Sequence, residues 1–127
     1  MKQGASAAGR ARQGAERRGR LAESLAALWL RAKGYRIVAR RFRCRAGEVD
    51  ILVRRGDLLV AVEVKARSRS DTALGGVTAR QRRRIERAVS AYCARAGLSL
   101  SVRFDVVAVD RFCVPRHHVD AWRPEIG

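Results

Sequence analysis

Apolar positions along this chain switch repeatedly between a helical and a strand period, and each switch marks an element. Leu21, Leu25, Leu28 and Trp29 recur at helical spacing and predict a helix from about Gly19 to Lys33. Gly34, tolerant of left-handed backbone, stops it. Tyr35–Phe42 is predicted as a strand, with Tyr35, Ile37 and Ala39 on one side and Val38 and Phe42 on the other. Val49–Arg54 and Leu58–Lys65 are β-branched-rich runs separated by Gly56-Asp57, the pattern of a two-residue hairpin. Thr78-Ala79-Arg80-Gln81 has the form of a capping box. It opens a second helix with the stripe Ile85, Ala88, Val89, Tyr92 and Ala96, ended by Gly97. Leu100–Val109 alternates again, setting Leu100, Val102, Phe104, Val106 and Ala108 against Arg103, Asp105, Val107 and Val109. Phe112-Cys113-Val114 is expected as a last short strand, broken by Pro115, before a tail closed by Trp122.

This order of elements predicts an α/β sandwich: a mixed central sheet with a core hairpin and two flanking helices, the second helix returning a strand to the sheet. Residues 1–18 are Ala-, Gly- and Arg-rich with no apolar period and are expected to be a mobile basic arm. Residues 19–122 make a single domain, and 123–127 a tail.

The hairpin carries the chemistry. With Gly56 and Asp57 as the loop, Arg55 pairs with Leu58, Asp50 falls opposite Glu63, and Glu48 opposite Lys65. Asp50, Glu63 and Lys65 then share one face, whereas a three-residue loop would send Asp50 to the other. Like charges placed opposite each other destabilise a sheet, and a hard divalent cation between the carboxylates would remove the penalty. The alternative is a solvated outer face. Leu52, Leu59 and Ala61 on the same face point instead to a lined cleft.

Charge narrows the partners. Lys plus Arg number 28 against 12 for Asp plus Glu, a net charge of +16, which predicts a polyanion. The excess is mostly Arg, whose planar fork suits phosphate, so nucleic acid is the first expectation and an anionic membrane a poorer one. Arg40, Arg41, Arg43 and Arg45 form either a phosphate-tracking edge or an edge strand kept soluble by charge. Arg80, Arg82, Arg83, Arg84 and Arg87 crowd the first turns of the second helix, against its dipole, which favours phosphate binding. Arg67 opens a polar loop running to Gly75-Gly76 at the cleft mouth. Three cysteines without a Cys-x-x-Cys pair and no apolar run near ~20 residues suggest a reducing, cytoplasmic setting without a membrane span. Asp105 is expected to pair with a neighbouring Arg or to support the site, and adjacent His117 and His118 do not form a metal clamp.

Asp50 followed after twelve residues by Glu63-Val64-Lys65 resembles the core of the PD-(D/E)XK nuclease superfamily. From Gly19 to Asp110 the chain more specifically resembles the YraN-like family of small bacterial proteins. The matching pieces are Glu23 with Ala26 and Leu30, Gly34-Tyr35, Gly47-Glu48-Val49-Asp50, Val62-Glu63-Val64-Lys65 with Arg67, and Arg103-Phe104-Asp105. Ala22 stands where that family usually has Gly, and Gln81 where a Lys is common. The resemblance implies a restriction-endonuclease-like core and a metal-dependent nuclease on DNA, including junction-resolvase-like, homodimeric forms. Asp50 and Glu63 would hold Mg²⁺ (or Mn²⁺), with Glu23 a candidate outer ligand, whereas the residues alone favour a surface Glu pairing with a nearby Arg. Lys65 would position or help deprotonate the attacking water, Glu48 would orient Lys65, and Arg43, Arg45, Arg67, Arg80, Arg82, Arg83 and Arg84 would bind nucleic acid. Two other expectations stay open: a module of the same fold that binds nucleic acid without cutting it, and a basic adaptor for an acidic protein.

Overall fold

Gly56 adopts φ 57° at the hairpin turn, a backbone conformation that disfavours residues with a Cβ, and the two predicted strands close around it. The computed structural model describes the backbone of residues 7–66 and 77–125 and the side chains of residues 19–66 and 77–125. β2 (Gly47–Arg55) and β3 (Leu58–Ala66) are antiparallel, with Arg55 paired to Leu58 as the loop length requires. β1 (Arg36–Cys44) lies antiparallel to β2, β4 (Ser101–Val109) parallel to β3, and β5 (Pro115–Trp122) antiparallel to β4. The described strands form one mixed sheet in the order β1-β2-β3-β4-β5.

The parallel β3–β4 step needs a crossover, and α2 (Ala79–Ala96) makes it. α1 (Ala7–Ala32) covers one face of the sheet, packing Ala26 and Leu30 on Ile51, Val53, Val60, Val62 and Val107. On the other face, α2 packs Ile85, Ala88 and Val89 over Leu52, Leu59, Ala61, Phe104 and Val106. The result is the expected α/β sandwich of restriction-endonuclease-like form. The capping box is present, with Gln81 N–H donating to Thr78 Oγ1 and Thr78 N–H to Gln81 Oε1, and Gly97 ends α2 at φ 64°. Gln81 therefore has a local task where a Lys is common.

Several elements depart from expectation. α1 begins at Ala7, so much of the stretch expected as a mobile arm is helical, while residues 1–6 lie outside the described ones. Ala and Arg are strong helix formers, and extending a helix already anchored downstream is easier than nucleating one. The Leu21, Leu28 and Trp29 stripe faces outward, and Ala22, Glu23, Ala26, Ala27 and Leu30 are buried instead. Small alanines let the helix axis approach the sheet, which larger side chains would prevent. In β1 a bulge at Val38 shifts the register between Ile37 and Ala39, so Ala39 joins Val38 and Phe42 on the α2 side. The last strand is Pro115–Trp122 rather than Phe112-Cys113-Val114. Asp110 Oδ1 accepts the N–H groups of Phe112 and Val114, at 2.8 and 3.0 Å, and folds that stretch into a turn. Pro115, with no N–H to donate, begins the edge strand instead of breaking one. Ala96 is exposed at the end of α2. No described helix is long and apolar enough to cross a membrane.

Candidate functional site

β2 and β3 remain paired only as far as Ile51–Val62. β3 continues beside β4 to Ala66–Val109, but on its β2 side the Val64 N–H donates to Asp50 Oδ2 at 2.8 Å. The aspartate thus accepts a donor that a continued ladder would have used, and the strands fork. Strict alternation fails at the same place, since Val49 and Leu52 pack on the α2 side and Ile51 on the α1 side. The face shared by Leu52, Leu59 and Ala61, expected to line the cleft, is buried beneath α2. The cleft opens at the fork. It encloses about 380 Å³ between Asp50, Glu63 and Val64 of the hairpin, Arg41 and Arg43 of β1, and Gly19, Arg20 and Glu23 of α1.

Asp50 and Glu63 meet there through their side chains, beyond the last ladder pair. Burial pushes the Glu63 carboxyl up to about 9, and a hydrogen bond with Asp50, the Asp50 charge and Glu48 push it the same way. Lys65 opposes them, because its ammonium favours the ionised form. Two carboxyl groups held this close and half-buried need a shared proton or a cation between them. Among the described residues, no three His, Cys, Asp or Glu side chains converge to hold a metal. A pair of carboxylates is nevertheless a donor set that fits Mg²⁺, which keeps several of its waters and uses one or two protein carboxylates.

Glu23, the candidate outer ligand, lines the same cleft but is buried in an ion-pair cluster. Arg41 Nε donates to both its oxygens at 3.1 Å, and Arg40 Nη2 to Oε1 at 3.3 Å. Adjacent strand residues normally point to opposite faces. Arg41 sits at φ 52°, a left-handed conformation unusual outside glycine, and both guanidinium groups reach one carboxylate. Among the described residues, no ion pair joins Glu48 to Lys65. Glu48 pairs with Arg43, its β1 ladder partner, at 3.2 Å, because β2 has already parted from β3 at that level.

Gly47 is a residue whose importance sequence reasoning passed over. A Cβ there would meet the Arg84 carbonyl oxygen at 1.9 Å, so the first turns of α2 lie directly on the start of β2. Arg80, Arg83 and Arg84 are exposed there, one stripe at i, i+3, i+4 spacing, and Arg45 is exposed at the β1–β2 turn. Arg82 is not part of that stripe: it is half-buried, with its guanidinium 5.8 Å from the centre of the Trp122 ring. Arg67 and the rest of its loop, through residue 76, lie outside the described residues.

A second polar cluster holds the far strands together. Asp105, fully buried, accepts from Arg103 Nε and Nη2 at 2.9 Å and from the Asp120 N–H at 2.9 Å. His117 Nε2 meets it at 2.7 Å, and Lys33 Nζ meets His117 Nδ1 at 2.8 Å. An ammonium only donates, so Nδ1 accepts and Nε2 carries the proton directed at Asp105. The predicted Arg103–Asp105 ion pair is present within β4, and the contacts of Asp105 with His117 and the Asp120 N–H tie β5 to β4, away from the acid cleft. The His117 partnership had no local signal, since twelve residues separate it from Asp105.

Residues 22–109 match the model of a family described as Uncharacterised protein family UPF0102, which is the YraN-like family resembled by the motifs above. A UPF0102 protein of Paramagnetospirillum magneticum is 52% identical over 120 residues, covering 90% of this chain and 93% of its own. One from Parvibaculum lavamentivorans is 51% identical over 112 residues (87% and 84%), and one from Maricaulis maris 50% over 117 residues (91% and 92%).

Proposed function

The chain belongs to the UPF0102 family, and we propose that it is a metal-dependent nuclease cleaving DNA phosphodiester bonds in the cleft at the hairpin fork. The observation that carries this reading is the Asp50–Glu63 pair: two carboxyls pressed together in a cleft edged with arginines. Such a pair gains nothing as plain surface and would repel a phosphate unless a cation intervened. Asp50 and Glu63 would hold Mg²⁺ (or Mn²⁺), which when bound would acidify a water and offset charge on the phosphate.

The remaining steps belong to the chain's own side chains. Asp50 accepts the Val64 N–H and is hydrogen-bonded to Glu63, so the two carboxyls are oriented together. Lys65, close enough to Glu63 to favour its ionised form, places a positive charge where negative charge develops during cleavage. Arg40 and Arg41 neutralise Glu23, leaving the cleft wall less repulsive to phosphate. Arg43, Arg45, Arg80, Arg83 and Arg84 would hold the backbone on either side.

The test is calorimetric titration of Mg²⁺ and Mn²⁺ into wild type and Asp50→Asn, with and without a noncleavable duplex, followed by cleavage of duplex, single-stranded and branched DNA. Metal uptake and cutting by wild type alone support the reading. A protein that binds DNA with a steep salt dependence, yet takes up no metal, would be the non-cutting module.

A further inference from the structure

A second cavity, about 700 Å³, runs between α1 and the edge strand β1. Its charged lining is cationic: Arg31, Arg36 and Arg40 contribute to it, and among the described residues no Asp or Glu does. Among the described residues, Arg31 and Arg36 have no acidic partner, so their charge faces the groove uncompensated. Apart from Ser24 and Tyr35, the rest of the wall is apolar. Leu28, 65% exposed, and Ile37 stand between the arginines, and an outward leucine beside unpaired cations suits a ligand with both flat apolar surface and phosphate.

This groove adjoins the acid cleft across the Arg40–Glu23 ion pair. Arg40 lines it and also donates to Glu23 Oε1 and Ser24 Oγ, both at 3.3 Å, while Glu23 lines the cleft on the other side. A chain of phosphates leaving the cleft past that ion pair would come to Arg40, which borders both cavities, with Arg36 and Arg31 on the same groove. The volume falls in the range of small-molecule pockets, room for a few nucleotides of a single strand rather than for a duplex.

We propose that the groove between α1 and β1 is the track of an unpaired nucleic-acid strand leading away from the acid cleft, its phosphates on Arg31, Arg36 and Arg40 and its bases against Leu28 and Ile37. The proposal deepens the nuclease reading and rests on it for direction: substrates with an unpaired arm, such as forks or flaps, would be held better than blunt duplex.

The test is fluorescence anisotropy in EDTA, so that binding is read without cutting, using labelled oligothymidylate, a blunt duplex of equal length, and a duplex with an unpaired arm. Wild type, Asp50→Asn, Leu28→Ala and an Arg31→Ala/Arg36→Ala double variant are compared; the three groove residues are exposed, so those variants should fold normally. In the double variant, single-strand affinity should fall about tenfold at moderate salt, and its log–log salt slope should flatten by about 0.7 for each phosphate no longer held. Blunt-duplex affinity should change less than about twofold, and Leu28→Ala should weaken the single strand without altering the salt slope. Equal losses on single strand and duplex would reduce the groove to general surface charge and overturn the track. Unchanged single-strand binding, or competition by polyglutamate that is indifferent to Leu28, would overturn it as well. Failure of wild type to cut, with the single-strand effects intact, would remove the nuclease reading but leave the groove as a strand site.

Discussion

Glu63 and Asp50 oppose each other in a way that the fold alone does not require. Neutralising either acid removes the cost of holding a proton between the two carboxyls while keeping the shape, and the amide oxygen of an asparagine in place of Asp50 could still accept the Val64 N–H. Asp50→Asn and Glu63→Gln are therefore expected to raise the melting temperature in EDTA by a few degrees while abolishing metal-dependent cutting. Lower stability in both variants would show the pair to be structural. Asp105 behaves in the opposite way. Burial alone would push its carboxyl up, but hydrogen bonds from His117, Arg103 and the Asp120 N–H outweigh that and hold it below its ordinary value of 3.8. A carboxyl lowered in the folded state adds stability above that value and loses it as pH falls through the lower native one. Asp105→Asn should cost about 3 kcal/mol at neutral pH, and the gap to wild type should narrow below pH 3.8 in urea unfolding. A gap independent of pH would mean the ionised form is not what stabilises. The Asp50–Glu63 pair was legible from the hairpin's loop length although the ladder stops one step short of it, while Lys65 is related to the pair only through its charge on Glu63. Glu23 was half legible: its position in the helix could be read, but not the left-handed backbone at Arg41 that helps bring the second guanidinium to it.

At the level of elements, local signals succeeded where one residue type decides the backbone. Gly34 and Gly97 end helices at positive φ, Thr78 and Gln81 cap α2, and Gly56 turns the hairpin. They failed where tertiary packing chooses between faces. α1 presents Ala22, Ala26, Ala27 and Leu30 to the sheet and turns Leu21, Leu28 and Trp29 outward, a choice of face that the helical spacing of the leucines did not reveal. The bulge in β1, the end of the β2–β3 ladder at Ile51–Val62 and the start of β5 at Pro115 likewise depend on partners distant in sequence. Gly47 joins both kinds of information: the Gly-Glu-Val-Asp motif needs glycine because the backbone of α2 lies against it. Gly47→Ala should cost about 1–3 kcal/mol by overpacking, measured by urea unfolding, and should weaken DNA binding by moving the basic turn of α2. Unchanged stability would mean that α2 can shift freely on β2.

For the whole molecule, a net charge of +16 makes some affinity for any polyanion unavoidable, so binding alone says little about where DNA lies. The arrangement of the charge is more informative. Arg80, Arg83 and Arg84 project from the turn of α2 that Gly47 admits onto β2, at the same end of the strand as Glu48 and Asp50. Arg82, on the same helix, is turned inward beside Trp122 and should matter for packing rather than for phosphate. Changing Arg80, Arg83 and Arg84 together to Ala should weaken duplex binding and flatten the log–log salt slope by about 0.9 for each phosphate no longer neutralised. Arg82→Ala should leave that slope unchanged and lower stability instead. A general basic surface would give four arginines of similar effect, each contributing in proportion to its charge. An oriented interface gives three that change the slope and one that does not, and a salt titration of the two variants separates these arrangements.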